Sequence, residues 1–396
     1  MAGGTAAGRA TYDAAMTVAA SPTSGQGSGF PILGQLSVLA RVSLVATVAV
    51  SLAAIVLDFG LHADPTILFV VSAAAILGLA WVVGLSTERL GALTSPQVGG
   101  ILNATFGNIA ELIIAFFALQ AGLVEVVKAS LTGSIIGNLL LVMGASVLVG
   151  GLRHGTQAFS ARLAGANAAL LALALIGLFV PAIFALTTGD QSVGTLTEES
   201  VLVAVVLIIG YVLSLIFQFT HPDATLGGHG LPSGHAGPSW SPRVAILVLI
   251  GAAALLAVLS EILVGAIEPF INTFGLSAFF VGVVIIPTIG NLAEHLVAVQ
   301  LAAKNQMEFA MAVTFGSSLQ VALFVAPLLV LIGVVIGQPM NLVFTPLEVA
   351  AVAAAVGISS LIAVDGETNW LEGALLMLVY AILGISFFEF VSAVGR

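Results

Sequence analysis

FGNIAELIIA (106–115) sets an amide and a carboxylate three residues apart in an otherwise lipid-soluble stretch, and IGNLAEHLVA (289–298) does so again. Asn108 and Glu111, at i and i+3, share one helix face, as do Asn291 and Glu294. A carboxylate at the bilayer centre costs about 2.5–3.5 kcal/mol or more on insertion scales, so it is kept for function or for a partner. Neither stretch carries a lysine or arginine that would neutralise it. Two protonated glutamates, each hydrogen-bonded between helices, are the structural alternative. Their symmetric placement argues instead for a shared site.

Composition decides the solvent. With 59% apolar and 7% charged residues over 396 positions, the chain falls far below the roughly one-quarter charged content of soluble domains. Apolar runs of roughly 20 residues, each enough to cross about 30 Å of hydrocarbon as a helix, recur at about 36–57, 65–85, 97–119, 124–149, 162–186, 200–219, 243–267, 276–302, 309–335, 345–363 and 370–392. They lack the alternation of barrel strands and are too long for them. The expected fold is therefore an all-α polytopic membrane protein of about eleven transmembrane helices. Residues 1–34 read as a disordered tail rich in Ala, Gly, Ser and Thr, without the basic region and apolar core of a cleavable signal. The absence of cysteine excludes disulfides and thiolate metal sites, and a net charge of −10 gives no reason to expect a nucleic-acid partner. The lipid bilayer is the expected surrounding, and no cofactor is expected.

Shifting the sequence 183 positions against itself explains the recurrence. Gly99, Thr105, Gly107, Asn108, Ala110, Glu111, Ala115, Glu125, Ala129, Gly133 and Ser134 then coincide with Gly282, Thr288, Gly290, Asn291, Ala293, Glu294, Ala298, Glu308, Ala312, Gly316 and Ser317. Shared apolarity does not hold rare polar residues in register. The shift spans five helices, an odd number, so the copies enter the membrane from opposite faces. That is the inverted repeat of many secondary transporters, whose site lies near the midplane between the halves. The chain divides into a tail (1–34), an extra helix (35–60), a first five-helix repeat (61–220), a linker (221–242) and a second repeat (243–396). The linker carries three histidines; it reads as solvated and flexible, with a weak metal or pH sensor as the alternative.

Basic residues give an orientation. With a cytoplasmic N-terminus, Arg9, Arg41, Arg89, Arg153, Arg162, Arg243 and Lys304 all face the cytoplasm, leaving Lys128 and Arg396 outside. A multi-pass protein of a prokaryotic plasma (inner) membrane is the expectation.

Two carboxylates near the midplane suit a hard cation. Calcium takes six to eight oxygens, and Glu111 and Glu294 would cancel its charge while amide, hydroxyl, carbonyl and water oxygens complete the shell. Ser134, Asn138, Ser317 and Gln320 on the following helices offer such oxygens, although the two serines could instead bond to their own backbones. Gly107 and Gly290, with Pro287 upstream of the second, favour local distortion that frees carbonyls. There is no thiolate and one imidazole, His295, which makes copper a poor fit and leaves zinc and manganese open. His295 lies about 100° round the helix from Glu294, a position suited to tuning proton transfer or packing between helices. The same carboxylates accept one divalent cation or about two protons, which is the basis of an exchange cycle.

GNIAEL and GNLAEH, followed by GSIIGNLLLV (133–142) and GSSLQVALFVAP (316–327), resemble the two alpha-repeats of the cation/proton exchangers in the calcium/cation antiporter superfamily. LNATFGNIAELI (102–113), AKNQMEFAMAVTFGSSLQ (303–320) and NWLEG (369–373) extend the resemblance, which covers about residues 35–392. It implies Ca2+/H+ antiport, with Glu111 and Glu294 as the calcium carboxylates and Asn108 and Asn291 shaping the site. It also implies that Glu88 and Glu261 are acids on the two access routes. Hydropathy alone puts Glu88 at the cytoplasmic end of the second run and Glu261 near the outer end of the seventh, where a solvated helix-end carboxylate is the plain alternative. Many relatives carry an acidic run between helices 6 and 7, whereas this chain has only Asp223 there, so regulation by such a run is not expected. A related exchanger driven by sodium, or moving Na+, K+ or Mn2+, is the second reading; Gly-Asn beside the motif acid, where sodium-coupled relatives have Thr, Ser and Pro, favours protons. An intramembrane hydrolase is the third, and Glu294-His295 is the reverse of the start of a His-Glu-x-x-His motif. The sequence leaves the oligomeric state open.

Overall fold

The computed structural model describes residues 38–94, 98–99, 102, 105–188, 193–220 and 240–394. Among these residues each apolar run becomes a helix: α1 (Val38–Ile55, continued by a π-helical turn, Val56–Gly60), α2 (Pro65–Gly91), α3 (Ile109–Gln120), α4 (Val124–His154), α5 (Ala161–Thr188), α6 (Val193–Thr220), α7 (Pro242–Phe274), α8 (Ala278–Ala303), α9 (Met307–Ile336), α10 (Pro346–Ile362) and α11 (Trp370–Val394). Nine are long and apolar enough to cross a bilayer, and α3 and α10 are shorter apolar helices. The tail at 1–34 and linker residues 221–239 lie outside the described residues.

Local chemistry sets the helix ends. Asp64 accepts from Thr66 N (2.8 Å) with Pro65 at the first position of α2, and Ser241 and Pro242 start α7 in the same way. Thr345 and Glu348 form a reciprocal capping box on α10, satisfying amides that would otherwise be orphaned at the helix start. Gly275 and Gly337, both left-handed, end α7 and α9. α2 and α7 run beyond the limits set by hydropathy, to Gly91 and Phe274. Glu88 therefore lies in the last turn of α2, whereas Glu261 is well inside α7 and not near its outer end, correcting the sequence expectation.

α2–α6 and α7–α11 are the two five-helix units of inverted topology, with α1 added at the lipid-exposed edge. α4 and α9 are the most buried of the long helices and form the centre. Each contains a π-helical stretch, Gly137–Val142 in α4 and Val321–Val325 in α9; moving 138–142 by 183 positions gives 321–325. α2 and α7 run along one another, and α1 leans on α2. Trp240, at the end of the linker, is buried against Ala245 and packed by Leu44, Leu85 and Leu90, which fixes the start of α7 on α1 and α2.

Small residues permit the crossings between the halves. A Cβ on Gly133 of α4 would lie 2.0 Å from the Val283 carbonyl oxygen of α8, and one on Gly282 of α8 would lie 2.5 Å from Ala129 Cβ. At one face β1 (Gln157–Ala158), after α4, pairs antiparallel with β2 (Glu367–Thr368), before α11. Gln157 Nε2 there donates to Ala302 O (3.1 Å) and Asn305 Oδ1 (2.8 Å) at the end of α8.

Candidate cation site between the repeats

Asn108 occupies the N-cap position of α3 without capping it by its side chain. Gly107 and Asn108 form a turn, which releases that side chain towards the second repeat. There Asn108 Oδ1 accepts from Ser317 Oγ (3.1 Å) and Asn108 Nδ2 donates to Gln320 Oε1. Asn138, in the π-helical stretch of α4, donates to the same Ser317 oxygen (2.9 Å). In the mirrored arrangement, Asn291 Nδ2 of α8 donates to Ser134 Oγ of α4 (3.2 Å). Asn108–Ser317 and Asn291–Ser134 thus pair equivalent positions, with donor and acceptor exchanged, and each crosses between repeats. The serines do not bond back to their own helices. The distortion expected at both glycines is found at Gly107 alone: Gly290 lies inside a regular helix, and α8 is irregular earlier, at Val281–Ile285.

The carboxylates meet at this crossing. A Cβ on Gly290 would lie 2.9 Å from Glu111 Cγ and 3.2 Å from its Cδ, so the Glu111 side chain rests on α8 one turn from Glu294. Glu111 and Glu294 are within electrostatic reach of each other, and Glu294 lies beside Ser317. Glu111 is 8% exposed and Asn291 1% exposed. Neither Glu111 oxygen accepts a hydrogen bond from another residue, and Glu294 Oε2 and Asn291 Oδ1 also lack partners. Buried polar atoms in folded proteins are nearly always satisfied. Four oxygens left unpaired on the two copies of one motif, with no cationic side chain bonded to them, form a donor set for a hard cation.

By contrast, the oxygens of Asn108, Ser317 and Gln320 already accept hydrogen bonds. These bonds hold the helices together, and the unpartnered oxygens are those of the two glutamates and Asn291. His295 is half-buried beside Glu294 with Nε2 unpartnered. Among the described residues no three His, Cys, Asp or Glu side chains converge, which disfavours a zinc-type cage.

Glu88 and Glu261 are exposed and belong to neither carboxylate contact. Glu261 lines a cleft of about 270 Å³ with Asp58, at the end of α1, and Pro65 and Leu68 of α2. Asp58 has no signal in the repeat, because α1 lies outside it.

A model of the family described as sodium/calcium exchanger protein matches residues 65–220 and 244–388, the two repeats in turn. The chain belongs to the sodium/calcium exchanger family. This exchanger is 44% identical over 341 residues to a Ca(2+)/H(+) antiporter of Aphanothece halophytica, covering 83% of this chain and 91% of that one. It is 41% identical over 331 residues to the Ca(2+)/H(+) antiporter ChaA of Bacillus subtilis, covering 83% and 93%. Among solved structures, that of native YfkE superposes with a TM-score of 0.75 at 37% identity, covering 88% of this exchanger and 99% of that chain. These likenesses place the protein among integral membrane transporters and not among enzymes.

Proposed function

We propose that this exchanger moves Ca2+ out of the cytoplasm in return for H+, with Glu111 and Glu294 as the residues that take up both ions. The observation that carries the reading is the set of four unpartnered oxygens on Glu111, Glu294 and Asn291. Two carboxylates and an amide oxygen suit calcium, whose remaining positions would be filled by carbonyls and water. The names of the relatives, Ca(2+)/H(+) antiporters at 44% and 41% identity, support calcium and protons as the exchanged pair.

Coupling follows from charge. One Ca2+ cancels two carboxylates, and so do about two protons, because both compete for the same oxygens. The site in either compensated form can cross between its two accessible states, whereas the doubly ionised empty site is held back by the desolvation of its charge. The two halves, related by inverted topology, open the site to one face at a time. α2 and α7, which pack along each other and carry Glu88 and Glu261, are the elements that gate it, with those acids drawing cations to the entrances. The two matched segments, 65–220 and 244–388, support a division of the repeats at 61–220 and 243–396. A cytoplasmic N-terminus places Arg153, Arg162 and Lys304 on the inner face, and the bacterial relatives suit the plasma membrane.

The direct test uses purified protein in liposomes under an imposed pH gradient, with a sodium gradient as the alternative driver. Uptake of calcium against protons without sodium is expected. A strict requirement for sodium would hand the case to the sodium-coupled reading.

His295 tests the division of labour within the site. Calcium prefers oxygen, and the imidazole adjoins the carboxylate without belonging to the unpartnered oxygen set. His295→Asn is expected to displace the pH profile of uptake while leaving the calcium KM within about threefold of wild type. A loss of affinity as large as that of Glu294→Gln, with an unchanged pH profile, would make His295 a ligand.

A further inference from the structure

At the face where α4, α6 and α10 begin and α5 ends, a cleft of about 520 Å³ lies apart from the exchange site. Its outer wall is apolar and open: Phe179, Ile183 and Leu186 of α5 are 44%, 41% and 68% exposed. Val349 and Ala353 of α10 and Lys128 of α4 also line the cleft. Lys128 is the fifth residue of its helix and is buried, 8% exposed.

The ammonium of Lys128 is built in. Nζ donates to Asn341 Oδ1 (2.6 Å) and Val343 O (2.8 Å), leaving one of its three N–H groups. Glu125 and Glu348 act on it electrostatically, and the Phe344 ring lies 6.0 Å from Nζ. Glu348 is itself tied, accepting from Thr132 Oγ1 (3.1 Å) and Thr345 N (2.8 Å). The lysine is therefore a fixed donor without net positive surroundings. The repeat does not impose it, because the residue 183 positions on is Met311, which lines a smaller cleft beside Glu308 at the opposite face.

We propose that this cleft binds a phospholipid: one acyl chain lies along Phe179, Ile183 and Leu186, and a phosphate or ester oxygen accepts the remaining N–H of Lys128. An exposed apolar wall on a membrane-spanning helix and a lysine donor near the start of α4, both lining one cleft, converge on that occupant. Two carboxylates flank the ammonium, so recognition is by hydrogen bonding, and zwitterionic and anionic phospholipids bind alike. The bound chain braces α5 against α10.

The test places a reporter in the cleft of the full-length protein, Phe179→Trp, in liposomes containing phosphatidylcholine, phosphatidylglycerol or phosphate-free diacylglycerol with brominated chains. The signal of Trp81, Trp240 and Trp370, taken from the parent protein, is subtracted. Both phospholipids are expected to quench the added tryptophan about fivefold more tightly than the diacylglycerol. Lys128→Met should erase that difference, with a melting curve showing that the variant is folded. Ala353→Phe, which fills the cleft from a half-buried position, should weaken quenching by all three lipids. Equal quenching of the Phe179→Trp reporter by all three would mark ordinary bilayer solvent and overturn the proposal, as would a preference that survives in folded Lys128→Met. A preference for phosphatidylglycerol alone that disappears at high salt would replace the hydrogen bond by charge attraction, and would overturn it too.

Discussion

Glu111→Gln and Glu294→Gln are each expected to abolish calcium transport while the protein still inserts and folds. Each change removes one charge and keeps the shape. At an effective dielectric of about 20, one pair of unit charges 4 Å apart is worth about 4 kcal/mol, so calcium affinity should fall on the order of a thousandfold. Folding is spared because no other residue donates a hydrogen bond to Glu111, so no structural bond is lost there. Uptake into liposomes, beside a size-exclusion profile of the purified variant, measures both halves. Near wild-type flux in either variant would remove the two-carboxylate site. Loss of the folded protein would recast the glutamates as structural.

Gly133→Ala is expected to be the most damaging small substitution in the core. Its new methyl would sit 2.0 Å from Val283 O and 2.7 Å from Pro287 Cγ, and backbone cannot swing aside as a side-chain tip can. α4 and α8 would have to separate, and with them Ser134 and Asn291. Overpacking typically costs 1–3 kcal/mol, and a contact with backbone this close should cost about 3 kcal/mol or more. Gly137, one turn further along α4, has nothing within 4 Å of the place a methyl would take, so Gly137→Ala should melt near the parent. Thermal unfolding in detergent compares them. Equal melting temperatures for the two variants would mean that the α4–α8 crossing is looser than described.

Much of the architecture was legible because bilayer thickness and hydropathy dictate helices directly. The eleven runs correspond to α1–α11, and the register of Asn, Glu and Ser at a shift of 183 disclosed the repeat. Helix ends were less legible. Asp64-Pro65, Ser241-Pro242 and Gly275 set them by capping, which moved Glu261 from a helix end to a helix interior. The residues of the site could be named, but not their partners. Asn108 meets Ser317 across 209 positions, and Asn291 meets Ser134 across 157, distances over which a sequence does not say which helices face each other. The π-helical stretch VALFV (321–325) carries no glycine or proline to announce it. Nothing in the sequence links Lys128 to Glu348, which come together only because α10 packs on α4.

Simultaneous recording of calcium and pH in liposomes, with the membrane potential clamped and unclamped, tests the central claim that one site serves both ions. The account predicts that calcium movement is always matched by opposing proton movement, at about two protons or more per ion. It also predicts that Glu111→Gln and Glu294→Gln remove both fluxes together. Calcium running down its own gradient with no proton counterflow would contradict the account and mark the protein as a channel or uniporter.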